Sequence, residues 1–172
     1  MERVHSILVD LLPASSKPLM AIRIVAIILI ALIAGATFGI WQGYNPAPYS
    51  QDTFLEVHQG AVHGLNTLLP VMGFSTMIMT LVLALRSDRH TALRGLFWVT
   101  LALLVLAGLI TRFANQPINA VVMTWTADTM PGNWTDIRDT WWFWHSLRTL
   151  VSVAALAGLV TAVLASGHGR SA

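Results

Sequence analysis

In the stretch WWFWHSLRT, Trp141 to Thr149, a histidine and an arginine stand three residues apart just where a long apolar run begins. On a helix that spacing puts His145 and Arg148 on one face. Histidine carries a proton near neutral pH or ligates a metal, and a guanidinium holds an anion. A second histidine, His63, and a carboxylate, Glu56, precede another apolar run. His63, His145 and Glu56 together make a two-histidine, one-carboxylate set, which suits non-haem iron or copper. Two histidines on facing helices are also how helix bundles hold haem. These donors come from different segments, so spacing leaves iron, copper, haem or no cofactor open. Zero cysteines exclude a disulfide framework, a thiolate metal site and a cysteine nucleophile.

The elements that must position these residues follow from composition. Of 172 residues, 55% are hydrophobic and only 10% charged, and the mean hydropathy is +0.66. A soluble domain would have nowhere to put that apolar excess, so the solvent for most of the chain is lipid. Ten Lys and Arg against eight Asp and Glu, with no dense basic run, give no footprint for nucleic acid. Backbone groups in hydrocarbon must be satisfied within their own segment, so runs of about 20 apolar residues read as spanning helices. Four such runs predict an all-α, integral membrane four-helix bundle forming one domain over 1–172, with spans at about 19–41, 53–85, 93–115 and 137–165.

The second and fourth helices are expected to begin before the membrane does. Thr53-Phe-Leu-Glu56 has capping-box spacing, and Thr135 or Asp136 is a candidate N-cap ahead of the tryptophans. Ahead of the first span, Val4, Ile7, Leu8, Leu11 and Leu12 recur at helical spacing, which fits a short interfacial helix ended by Pro13. The first apolar run, Leu19 to Trp41, is longer than a signal-peptide core, which favours a retained span over a cleaved leader. Seven of the ten Lys and Arg (Arg3, Lys17, Arg23, Arg86, Arg89, Arg94 and Arg170) fall at the N-terminus, between spans two and three, or after span four. By the positive-inside rule both termini are then cytoplasmic.

With that orientation, Glu56 and His63, Arg112, Asn115 and Asn119, and His145 and Arg148 all lie toward the extracytoplasmic side. At 100° per residue, Glu56, Gln59, His63, Asn66 and Pro70 fall within a sector of about 80° on one continuous second helix, with His58 on its far side. Arg138, Trp141, His145, Arg148 and Ser152 share a similar sector of the fourth helix. Ionisable residues inside spans face the bundle or water and mark function by default. An outward-opening pocket between helices two, three and four follows, faced by His63 and His145 with Arg148 below. Plainer roles exist beside these. Glu56 serves as a cap, His58 as a headgroup-level histidine, Arg112 as a snorkelling cation, and Trp142 and Trp144 as members of an interfacial aromatic belt.

From Ile110 onward, ITRFANQPINAVVMTW followed by PGNWTDIRDTWWFWHSLRTLVSVAA resembles the small four-helix membrane proteins grouped with fungal anthrone oxygenases. The pattern is carried by Thr111, Asn115, Pro117, Asn119, Trp125, Trp141, His145, Arg148 and Thr149. Ala120 stands where members often carry a basic residue. The resemblance covers about the last third of the chain. It implies oxygenation of a lipophilic phenol-like or anthrone-like aromatic by molecular oxygen, in a protein of a bacterial inner membrane. Its catalytic residues would be His145 and Arg148, with His63 added from the polar stripe of the second helix and not from the resemblance, a histidine taking the acidic proton and the guanidinium stabilising an oxyanion or reduced oxygen. Asn115, Asn119, Arg112, Trp141 and Gln59 would orient a flat substrate entering from the bilayer. The reading from another class is a non-catalytic membrane protein, whether a transporter, a binding protein or an accessory subunit whose polar stripe pairs with a protein partner or a second copy. The cytoplasmic half of the spans carries no second ionisable cluster, which ranks transport below oxygenation.

Overall fold

The computed structural model describes residues 17–87 and 92–168, and the interfacial helix expected over 4–12 lies outside them. Among the described residues every regular element is helical: α1 (Lys17–Gly43), α2 (Gln51–Leu65), α3 (Leu68–Arg86), α4 (Ala92–Ile110), a π-helical turn (Thr111–Asn115), α5 (Gln116–Val122) and α6 (Trp134–His168). Four continuous helical stretches are long and apolar enough to cross a membrane: Lys17–Gly43, Leu68–Arg86, Ala92–Val122 and Trp134–Ser166. The chain is therefore an all-helical membrane protein. Around the bundle each span packs on two neighbours, α1 on α3, α3 on α4, α4 on α6, and α6 back on α1.

Large apolar side chains cover the outside of the bundle, among them Ile28, Leu32, Val71, Phe74, Val99 and Leu150. Without water to drive apolar surfaces together, helices in lipid associate through close packing of small residues and satisfied polar groups. The interior follows that rule. Ala26, Ala84, Ala155 and Ala162 are buried, as are Thr37, Thr76, Thr80, Thr100 and Thr149. Thr76 and Thr100 return their hydroxyls to the carbonyls of Met72 (2.8 Å) and Leu96 (2.9 Å) one turn back. Gly158 brings α6 so near α4 that a Cβ there would stand 2.7 Å from Thr100 Oγ1.

The second span is not the continuous helix expected from the sequence. Helix α2 ends at Leu65, with Asn66 N–H still donating to the Val62 carbonyl (3.0 Å), and α3 resumes at Leu68. Pro70 explains the gap: it has no amide hydrogen to return to Asn66, and the chain turns there. Helix α2 begins at Gln51, capped by Ser50, whose Oγ accepts from Thr53 N–H at 3.3 Å. The cap therefore falls three positions before the expected capping box. The third span carries a second interruption. Pro117 again withholds a donor, and Gln116 N–H reaches five residues back to Thr111 O, which inserts one residue into the helix and turns its face.

At this end of the bundle α2, α5 and the start of α6 form a separate small core of Phe54, Leu55, Val122 and Trp125, with Tyr49, Ile118 and Trp134 packed around it. Arg138 ties this cap to the loop after α1, donating from Nη1 to the carbonyls of Ala47 (3.2 Å) and Pro46 (3.4 Å). Its guanidinium also lies 5.1 Å from the Trp134 ring centre.

The close α4–α6 approach yields a direct test. Gly158→Ala should lower the thermal unfolding midpoint in detergent, by about 1–3 kcal/mol of overpacking. Combining it with Thr100→Ala should recover most of that loss; a double variant no more stable than Gly158→Ala would remove the proposed clash as the cause.

Candidate functional site

His145 is wholly buried in the bundle, and both of its ring nitrogens are engaged. Nε2 lies 3.0 Å from the carbonyl oxygen of Thr37 on α1. Nδ1 receives Arg148 Nη2 at 2.9 Å and Nε at 3.3 Å. A carbonyl can only accept and a guanidinium can only donate, so the proton sits on Nε2 and the lone pair on Nδ1. The tautomer is set by the two partners. Trp141 and Trp142 lie nearly parallel to the imidazole, with centroids at 4.9 and 5.8 Å. One turn further on, Thr149 and Ser152 satisfy the backbone by donating to the carbonyls of His145 and Arg148 (both 2.8 Å).

Trp141 joins this pair to the other helices. Its indole Nε1 donates to Asn119 Oδ1 at 2.8 Å, and Asn119 Nδ2 donates to Asn66 Oδ1 at 3.0 Å. Asn115 Nδ2 donates to the Trp141 carbonyl at 3.3 Å, and its buried Oδ1 has no partner. Asn115 and Asn119, one turn apart on either side of Pro117, are both buried in the bundle. His58 meets the same tryptophan edge-on, at 4.6 Å between centroids.

Three spaces adjoin these residues. A groove of about 310 Å³ runs between α1, α3, α4 and α6, walled by Ile33, Leu69, Phe74 and Met77, with Arg112 and Arg148 on its lining. Phe74 is 64% exposed, so the groove opens toward the surface that faces lipid. An outer chamber of about 370 Å³ is walled by Tyr44, Tyr49, Phe54, His58 and Trp141. Between them lies a neck of about 30 Å³ that has Asn66, Asn119, Trp141 and Arg148 on its lining. The neck shares Ile40, Ala61, Leu65 and Trp141 with the chamber, and Leu69, Pro70, Thr111 and Arg148 with the groove.

Of the residues singled out in the sequence, His145, Arg148, Trp141, Asn115 and Asn119 come together. The others take different places. His63 and Glu56 are exposed, and among the described residues no three His, Asp or Glu side chains stand close enough to hold a metal ion. The set of His63, His145 and Glu56 is thus not assembled. His145 also has no lone pair left for iron or copper, which removes it as a haem ligand opposite His63. Gln59 donates from Nε2 to the carbonyls of Val122 (2.9 Å) and Trp125 (3.0 Å), closing the end of α5 instead of meeting a substrate. Arg112 is exposed on the groove, 6.0 Å from the Phe113 ring centre.

His58, expected at the surface, is 4% exposed, and its Nε2 is buried without a partner. The break at Asn66 is the cause. With α2 free of the axis of α3, its phase is set by its own apolar face, and His58 falls on that face beside Phe54 and Leu55. The segment itself holds the signal: Phe54, Leu55, Ala61, Val62 and Leu65 form an amphipathic set in which position 58 is the polar exception.

The sequence profile of the anthrone oxygenase family matches residues 59–158, more than half of the chain. The chain belongs to the anthrone oxygenase family. No curated protein and no solved structure matches it. The match extends the resemblance seen from Ile110 onward back through α3 and into α2. It contains every member of the Trp141, Asn119, His145 and Arg148 cluster, while Thr37 and His58, which adjoin that cluster in space, precede it.

Burial pushes the His58 imidazole down to about 4, with the neighbouring Asn119 side chain pulling the other way. An unfolded histidine titrates near 6.5. Between those values the unfolded chain takes up a proton that the folded chain refuses, so stability is full above pH 6.5 and drains away as the pH falls toward 4. His58→Phe should therefore narrow the difference between the unfolding midpoints at pH 7.5 and pH 5 in detergent; an unchanged difference would show that His58 does not carry it.

Proposed function

We propose that this protein is an integral membrane oxygenase that inserts oxygen from O2 into a lipophilic aromatic weak acid, of the phenol or anthrone kind. The observation that carries the reading is the Arg148 guanidinium, held at 2.9 Å by a neutral imidazole where an apolar groove meets a narrow neck. Membership of the anthrone oxygenase family supports it.

The chemistry asks for little beyond a place to put negative charge. The substrate methylene gives up one proton to water, and the resulting anion gives an electron to O2. The two radicals combine through a new carbon–oxygen bond. The peroxide takes a proton back from water, then loses water as the second methylene proton leaves and the O–O bond breaks. One methylene and one O2 thereby become one carbonyl and one water. The costly moment is the appearance of charge on oxygen in a medium of low dielectric, and a fixed guanidinium lowers that cost. His145 is a positioning residue in this scheme. Its two hydrogen bonds fix Arg148 against α1, and with neither nitrogen free it does not act as the base. No step passes through a metal, because the donor set does not fit one.

Oxygen uptake with an anthrone as substrate tests the reading. Arg148→Ala should lower kcat by about 10²–10³, the usual cost of losing one such donor, and Arg148→Lys should retain part of the activity by keeping the charge. His145→Ala should lower kcat less than Arg148→Ala does. Native uptake no faster than the uncatalysed reaction, or full activity in Arg148→Ala, would overturn it.

A further inference from the structure

The groove that opens toward lipid is short of an anion. Two guanidiniums, Arg112 from the π turn and Arg148 from α6, lie on its lining, and the Gln116 amide joins them. No Asp or Glu is on that lining, and neither guanidinium has an acidic partner among the described residues. The hydroxyls nearby do not compete for an anion, since Thr37, Thr111 and Ser152 give theirs to carbonyls of their own helices. Two like charges on one apolar groove repel each other, and a counter-charge there is worth more than it would be in water.

Below the charged end the groove has room for a chain. Arg148, Thr111, Leu69 and Pro70 stand at one level, since all four also line the neck. From there Met77, two turns past Pro70, and Leu104, two turns before Thr111, carry the apolar wall on for about 10 Å. Gly73 keeps the slot open between them: a Cβ added there would meet nothing within 4 Å. The exposed Phe74 stands beside the opening.

We propose that this groove binds a long-chain carboxylate of the surrounding bilayer, its head held by Arg148 and Arg112 and the first part of its chain laid along α3 and α4 past Gly73. A planar carboxylate matches the fork of a guanidinium. Depth selects a fatty acid over an acidic phospholipid, because Arg148 lies two turns further along α6 than Trp141. A carboxylic acid exchanges its proton with interfacial water and moves through hydrocarbon in the neutral form, whereas a phosphodiester keeps its charge. The proposal does not rest on the oxygenase reading, since it concerns what the groove holds and not what reacts there.

The experiment uses the full chain in nanodiscs of phosphatidylcholine, with radiolabelled palmitate and hexadecanol as probes. Retention above that of empty discs of the same lipid is the readout, which removes partitioning. The native protein should retain palmitate saturably and about ten- to a hundredfold more tightly than hexadecanol, the difference made by hydrogen bonds to a charged group. Arg148→Gln should remove most of that preference. Arg112→Gln should weaken palmitate about two- to fivefold, as expected of an exposed ion pair, and leave hexadecanol unchanged. Gly73→Leu, which fills the slot and keeps both guanidiniums, should weaken both probes, and it decides the matter even if Arg148→Gln fails to fold. Equal retention of the two probes by the native protein, or palmitate binding undiminished in Arg148→Gln or in Gly73→Leu, would overturn the proposal. So would displacement of palmitate when phosphatidylglycerol replaces part of the phosphatidylcholine, which would make an acidic phospholipid the occupant.

Discussion

A guanidinium inside a helical membrane bundle must be held on several sides, because lipid offers it nothing. Here the holder is a histidine on the same helix, and a histidine can serve only if its lone pair faces the arginine. That requires an acceptor for the proton on the opposite nitrogen, which α1 supplies from the carbonyl of Thr37. The orientation of Arg148 thus depends on the seating of α1 against α6. Packing of small residues along those helices, Ala26, Ala34, Ala155 and Ala162 among the buried ones, holds the carbonyl within 3.0 Å of the ring. Core packing and site geometry are in this sense one constraint.

Trp141 is where the remaining elements meet that axis. Its ring stacks on His145 and meets His58 in a T-shaped contact, its N–H is given to Asn119, and its carbonyl receives Asn115. A large aromatic with one polar handle is suited to such a junction, since it fills space between helices while one hydrogen bond fixes its rotation. The indole also lies on the lining of both the outer chamber and the neck.

Much of this was legible in the sequence. Long apolar runs with few charges specify spanning helices almost by themselves, and an i, i+3 pair such as His145 and Arg148 stays on one face wherever the helix ends fall. Residues whose phase depends on helix continuity were less legible. His58 and His63 exchange inside for outside once α2 ends at Leu65, because a projection carried across Pro70 assumes an axis that the proline interrupts. The bonding of His145 was hidden for a different reason. Neither the Thr37 carbonyl nor its distance has any mark in the sequence, so a histidine beside an arginine reads as a free base when it is a fully bonded support.

The two interruptions of the spans face each other, and this is what creates the site. The α2–α3 break leaves Asn66 between two helices, and Asn119, one turn past the π turn of the neighbouring span, meets it at 3.0 Å. Irregular backbone at membrane depth persists only where protein or a cavity satisfies its polar groups. The two breaks are joined here through the side chains of their asparagines. The space left over is the neck beside Arg148. Straightening either helix would fill that space with side chains and leave the guanidinium facing a solid core, so the proline interruptions are a condition for placing charge next to a cavity in this bundle.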